Sequence, residues 1–296
     1  MIIAFSKSKN NLIALLAGLF CVLACQEKED LVIFHTPYGD MTAVLYEDTP
    51  KHKENFLKLA KEGHYDSVAF HRVIQDFMIQ TGDLSTGTSD MKIDYRIDAE
   101  FMPEQYIHEK GALAAARTGG SGNPERQSSG SQFYIVQGKT YDEEGLQTRA
   151  QRRDYLNLYD LFDRMLKSKR YPELTEKYNF HVEQSQEDST YNFQEALEAL
   201  VYQSKPKIEE VFGDQTDPGY PDWAVERYAS LGGAPHLDGA YTVFGQVIDG
   251  LAVIDKIAAV PTDARDKPLE VVRMTVEVLS IPKNEVTERY GFTYKK

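Results

Sequence analysis

Cysteine is nearly absent from this chain. Its two copies, Cys21 and Cys25, lie near the N-terminus and none follows. A disulfide framework and a cysteine-built zinc site are therefore excluded downstream, where the fold must stand on its core. The seven histidines are scattered, with no metal-ligand spacing among them or the carboxylates. Positive charge is also short: 33 Lys and Arg against 46 Asp and Glu leave a net charge of -13. That balance excludes a nucleic-acid binder and adsorption to an anionic membrane by charge. The acidity reads as a device for solubility. Gly119-Gly120-Ser121-Gly122 lacks the Lys-Ser/Thr that completes a phosphate loop. Ser128, Ser129 and Ser131 lack the surroundings of a nucleophile elbow. No cofactor or metal is expected. What is present, 42% hydrophobic and 27% charged residues over 296 positions, suffices for one large domain or two small ones.

One long apolar run exists, at the start. Lys7 and Lys9 give a positive opening, Asn11 closes the polar part, and Leu12 to Ala24 is uninterrupted. The run is too short for a comfortable transmembrane helix, so residues 1–24 read as a signal peptide. It ends Val22-Leu23-Ala24-Cys25, which resembles the bacterial lipobox, whereas bulky Phe20 rules against Cys21. The resemblance implies lipidation of Cys25 and a membrane anchor. Gln26 is not the aspartate of inner-membrane retention, so an exported lipoprotein of the outer membrane is expected, on its periplasmic face or at the cell surface. Residues 25–30 form the tether, reaching at most roughly 17 Å. Loss of Lys7 and Lys9 with the signal takes the net charge from -13 to -15.

The remaining chain alternates strand-like runs with turns. Leu31–Phe34 and Met41–Leu45 flank the turn Pro37-Tyr38-Gly39-Asp40. A helix follows, with Thr49 as N-cap, Pro50 at its first position, an apolar face of Phe56, Leu57 and Ala60 with Leu59 beside it, and Gly63 as its stop. Short strands are predicted over 68–73, 77–80, 113–116, 132–136, 241–247 and 271–279, with a second helix over 251–257. Between Gly138 and Gly232 the texture turns charged and helical, and holds nine of the 18 tyrosines. Tyr155, Leu158, Tyr159, Phe162 and Leu166 share one helical face. Phe193, Leu197, Leu200 and Val201 share another, opened by a capping box at Asn192 and Glu195 and stopped by Pro206. A third helix is expected from Asp222 to Ser230. The pattern predicts a barrel at 31–138 and 233–281, interrupted by a helical insertion at 139–232 and followed by a tail at 282–296.

Three blocks carry a second resemblance. Phe70-His71-Arg72-Val73-Ile74-Gln75-Asp76-Phe77-Met78-Ile79-Gln80-Thr81-Gly82-Asp83 resembles the signature of the cyclophilin family. Gly111–Ala116 with Gly130–Ile135, and Leu237–Val247, follow in family order. The resemblance implies a mainly β fold, an eight-stranded antiparallel barrel capped by two helices, and peptidyl-prolyl cis/trans isomerase activity on folding clients. It implies catalytic roles for Arg72, with Gln80 orienting it. Phe77, Met78, Tyr134 and Leu237 would form the proline socket, with Tyr241 at its rim in place of the family's histidine, while Gln132 and the backbone of Ala116 and Arg117 would hold the peptide. His71 reads as structural. Arg117 stands where the family often has asparagine, Tyr134 where it has phenylalanine, and His236 where eukaryotic members have tryptophan.

The chemistry needs little else. Rotation about an X-Pro bond breaks amide resonance and costs about 18–20 kcal/mol. No bond is cut, so a fixed charged donor that favours the twisted amide is enough. Two other readings remain open: a proline-peptide binding module with little turnover, and a chaperone recruiting a protein partner through the insertion. The insertion falls between Tyr134 and Leu237, so it either extends the peptide groove or decorates its rim.

Overall fold

Hydrophobic alternation along short strands curls one antiparallel sheet into a barrel. The computed structural model describes residues 27–120, 122–214, 217 and 219–294, so the signal residues 1–24 and Cys25 lie outside the described residues. Two compact units are distinguished, one comprising the residues up to Gly138 and from Leu237 onward, the other Lys139–His236.

In the first unit β1 (Lys28–Thr36) pairs with β2 (Gly39–Leu45) across the expected turn. β1 begins inside the stretch read as tether. Helix α1 (Pro50–Lys61) follows. Thr49 occupies its N-cap position but supplies no capping bond. The Glu100 carboxylate does so from a distance, accepting from the backbone N–H of Lys51 and His52 at 3.1 Å each. A carboxylate there also meets the positive end of the helix dipole. The buried face is His52, Phe56, Leu59 and Ala60, with Leu57 only partly buried. The exit is a Schellman motif: His64 N–H donates to Leu59 O at 2.9 Å and Gly63 N–H to Ala60 O at 3.0 Å, with Gly63 at φ +74°.

The run expected as one strand over 68–73 divides into β3 (Val68–Ala69) and β4 (Arg72–Ile74). Next come β5 (Met78–Thr81), β6 (Arg96–Ile97), β7 (Ala112–Ala115), β8 (Ser128–Ser129) and β9 (Phe133–Val136). The second unit then intervenes. Beyond it lie β10 (Val243–Asp249), helix α7 (Leu251–Ala258), β11 (Arg273–Pro282) and helix α8 (Lys283–Tyr290), numbered after the five helices of the intervening unit. Among the described residues nine strands form one sheet in the order β3-β11-β1-β2-β10-β7-β9-β5-β4, and β6 pairs with β8 alone. The two edge strands, β3 and β4, are separated by only Phe70 and His71, so the sheet comes round on itself. Counted as one interrupted strand, they leave eight. Val32, Phe34, Ile79, Leu113, Phe133 and Ile135 point inward and meet Phe56 and Ile254 from the helices. The segment read as a tail instead carries α8, whose Val286 packs with Leu31, Val44 and Ile281 outside the barrel.

The second unit holds α2 (Glu143–Ser168), α3 (Pro172–Glu187), α4 (Phe193–Gln203), α5 (Lys205–Phe212) and α6 (Asp222–Ser230). Its core is Tyr155, Leu158, Leu161, Phe162 and Met165 against Leu197, Leu200, Val201 and Ile208. Tyr159 lies exposed and Leu166 only partly buried, so the true stripe runs through Leu161 and Met165. Asn192 caps α4 through Glu195 N–H at 3.2 Å. Pro206 ends nothing: it sits in the first turn of α5, where its missing N–H costs no bond.

The barrel buries a polar knot. His52 donates from Nδ1 to Glu100 Oε2 at 2.6 Å and accepts from the Ser128 hydroxyl at Nε2, 2.9 Å away. Burial holds its pKa below the ordinary 6.5, although Glu100 pulls the other way. His71 is depressed for the same leading reason. Such imidazoles bind fewer protons folded than unfolded, so their contribution is complete above pH 6.5 and is lost as pH falls below it. His35, raised by Glu277 and Asp40, acts in the opposite sense, weakened because its side chain is partly exposed. Denaturant titrations below pH 6.5 are therefore expected to show falling stability, with a shallower slope in His52→Gln.

Candidate active site

Register decides which side chains share the outer face. Arg72 pairs with Gln80, Gln80 with Tyr134, and Tyr134 with Ala114. Directly paired residues project to the same side of a sheet, about 5 Å apart. The neighbouring row, Val73–Ile79–Ile135–Leu113, fills the core. Burial of that row places an arginine, an amide and an aromatic side by side on the outside.

Arg72 is half-exposed, and its Nε donates to Asp266 Oδ2 at 3.3 Å. Gln80 does not bond to Arg72. Its Nε2 donates to Gln132 Oε1 at 3.3 Å, so the orienting role expected of Gln80 lacks a contact. Gln80, Gln132, Ala116 and Arg117 line one cleft of about 600 Å³, together with Asp83, Tyr95 and Arg96. Ala116 offers less than expected. Its N–H already donates to Gln132 O at 3.0 Å, and its carbonyl receives Ser129 N–H at 2.7 Å, leaving one lone pair. Close approach under Ser131 requires Gly82, at φ +83°, where a Cβ would lie 2.3 Å from the Ser131 carbonyl oxygen.

A ring cluster adjoins the cleft through Arg117. Its guanidinium lies 4.4 Å from the Tyr241 ring centroid, and its Nε donates to Ala240 O at 2.9 Å. Tyr134 meets Tyr241 edge-on at 6.0 Å and stacks on His108 at 6.1 Å. Met78 is buried in the same outward set, facing Val136 across the strands. Phe77 is half-buried at the β4–β5 turn, where its carbonyl receives Gln137 and Gly138 N–H at 3.0 Å each. Leu237 is buried in a short 3-10 turn and does not line the cleft. Among the described residues no group of three or more His, Cys, Asp or Glu could hold a metal ion.

Two contributors escaped the sequence. His108 fixes the 237–241 segment, donating to Asp238 Oδ1 from its backbone N–H at 2.9 Å and from Nδ1 at 2.8 Å. Asp266 reaches Arg72 across 194 positions. Neither sits in a periodic pattern, and only a sheet register brings such distant residues together.

The outer face of the barrel thus sets a half-exposed guanidinium beside amide side chains and an aromatic cluster. Comparison with known proteins gives the particular family. A family profile described as "Cyclophilin type peptidyl-prolyl cis-trans isomerase/CLD" matches residues 31–149 and 224–278. A Staphylococcus epidermidis protein named as a peptidyl-prolyl cis-trans isomerase is 32% identical, over 86% of this chain and 93% of its own length. A Streptococcus pyogenes protein named as a bifunctional phosphatase/peptidyl-prolyl cis-trans isomerase is 33% identical over 83% of this chain, which spans only 38% of that relative. A crystal structure of a Cryptosporidium parvum cyclophilin-type isomerase aligns at TM-score 0.48 and 20% identity, covering 86% of this chain and 99% of that one. The chain belongs to the cyclophilin-type peptidyl-prolyl cis-trans isomerase family.

The Tyr134 hydroxyl is buried without a hydrogen-bond partner among the described residues, and burial drives its pKa well above the usual phenol value, with Tyr241 and Asp238 adding to the rise. An unsatisfied buried hydroxyl is a liability in the folded state. Tyr134→Phe is expected to leave thermal stability unchanged or raise it, by up to about 1 kcal/mol. A clear fall in melting temperature would show instead that the hydroxyl contributes a bond.

Proposed function

We propose that this isomerase acts on X-Pro bonds of folding clients outside the cytoplasm, with Arg72 as the group that favours the twisted amide. The observation that carries this reading is the half-exposed Arg72 guanidinium in one cross-strand row with Gln80 and Tyr134. In the twisted state the imide nitrogen regains a lone pair that accepts a hydrogen bond, and a guanidinium is a donor that stays charged. Interactions stronger in that state than in either planar form lower the barrier. Removal of about 7 kcal/mol would accelerate rotation by roughly five orders of magnitude. Gln132, whose Oε1 is taken by Gln80, keeps its amide N–H groups for the peptide. Met78, Tyr134 and Tyr241 give the proline ring its apolar surroundings, with Phe77 and Leu237 on the flanking turns.

The same proposal places the enzyme on a membrane by a lipid at Cys25, after removal of residues 1–24, in the outer membrane. Its support is the lipobox-like Val22-Leu23-Ala24-Cys25 behind a positive start. The helical unit gives the chain a second surface, for a protein partner. It exposes Leu156 and Phe180, at 50% and 53% of their area, and 150–223 lie outside the family match.

Arg72→Ala is expected to lower kcat/KM in a prolyl isomerisation assay by about 100- to 1,000-fold, mainly through kcat. A wild type no faster than buffer would favour the binding-module reading. For the anchor, Cys25→Ser should move the protein from the membrane pellet to the soluble fraction. Continued pelleting would overturn lipidation at this position.

A further inference from the structure

Arg72 carries a long, half-exposed side chain, which loses substantial rotamer freedom when held in one pose. An arginine that must present a donor edge to a twisted amide works best if that freedom is already spent. Its cross-strand neighbour Gln80 bonds elsewhere. Its ion-pair partner is Asp266, in the loop joining α7 to β11.

That loop is built to hold Asp266 in place. The Asp263 carboxylate accepts from Arg265 N–H at 2.8 Å and Lys267 N–H at 3.0 Å. Asp266 N–H donates to Asp263 O at 3.1 Å, and Thr262 bridges to Pro268. Asp266 itself takes a left-handed φ of 64°, which aspartate and asparagine tolerate better than most residues. Its carbonyl receives Val73 N–H at 2.7 Å, next to Arg72 in β4. Backbone and side chain of one residue thus grip adjacent positions of the strand that carries the guanidinium.

We infer that Asp266 is the positioning residue for Arg72, holding Nε so that the outer guanidinium N–H groups are presented to the substrate. The inference rests on the catalytic reading of Arg72. Among the described residues the guanidinium is met by Asp266 at Nε, which leaves the Nη donors for the substrate.

The test is a double-mutant cycle on the full chain in detergent, reading kcat and KM for prolyl isomerisation. Asp266→Gly suits the backbone and removes the acceptor; Asp266→Asn keeps the shape and removes the charge. Asp266→Gly is expected to lower kcat about fivefold with KM unchanged, and Asp266→Asn to lower it less, as fits an exposed pair. In an Arg72→Ala background both substitutions should cost nothing further. Equal losses in both backgrounds would show that Asp266 acts through loop structure alone, and an unchanged or faster kcat would show that it does not position Arg72. Either overturns the inference. A crippled Arg72→Ala beside a normal Asp266→Gly removes this inference alone, while an Arg72→Ala chain as fast as wild type removes the Arg72 reading and this inference with it.

Discussion

The two-residue repeat of a β-strand is the constraint on which everything else here depends. Val73, Ile79, Ile135 and Leu113 form a continuous row across four strands and are buried to within 2%. Their burial, at about 25 cal/mol per Å² of apolar surface, fixes which face of each strand looks inward. The alternate row is then committed to the outside. A slip of one residue would put Arg72 into the core and Val73 into water, at a cost no surface contact offsets. The side chains of the site are therefore placed by the burial of the row beside them.

Polar residues do the corresponding work where strands give way to loops. Glu100 caps α1, binds His52 and so reaches Ser128, which opens the segment carrying Ser131 and Gln132. His108 locks Asp238, and with it the turn that leads to Tyr241. Asp263 shapes the loop that presents Asp266. In the first two cases a side chain far away in sequence, and in the third one within the same loop, satisfies backbone or ring donors that would otherwise be left to water. The loops around the cleft inherit some of the rigidity of the barrel.

Much of this architecture was legible before any coordinates. Hydrophobic alternation located the main strands, and the Pro50 and Gly63 signals bounded α1, because each reflects a backbone rule that tertiary context did not override. The failures share a physical cause as well. Thr49 had the right chemistry for a cap, but a carboxylate 51 positions away took the bonds. Pro206 breaks a helix only when it falls inside one, and here it starts another. The helix over 172–187 buries only Leu174 fully, so it carried little of the apolar periodicity that reveals helices. Arg72, Gln80 and Tyr134 were visible as a motif, but their partners were not. Which acceptor an exposed side chain finds depends on loop geometry, and loops leave no period in a sequence.

The pairing at the base of the helical unit has a consequence for how the chain folds. Lys139 and Gly233 bond to one another in both directions, Lys139 N–H to Gly233 O at 3.2 Å and Gly233 N–H to Lys139 O at 2.9 Å. The chain is thus pinched at Lys139 and Gly233 into a stem. Without that stem, bringing β10 beside β7 would mean closing a very long disordered loop, at a slowly growing entropic cost. With the helices formed first from local contacts, the same closure spans only the short segments flanking the stem. The insertion then shortens the effective path between the barrel's two halves, so a long insert need not slow the sheet's assembly in proportion to its length.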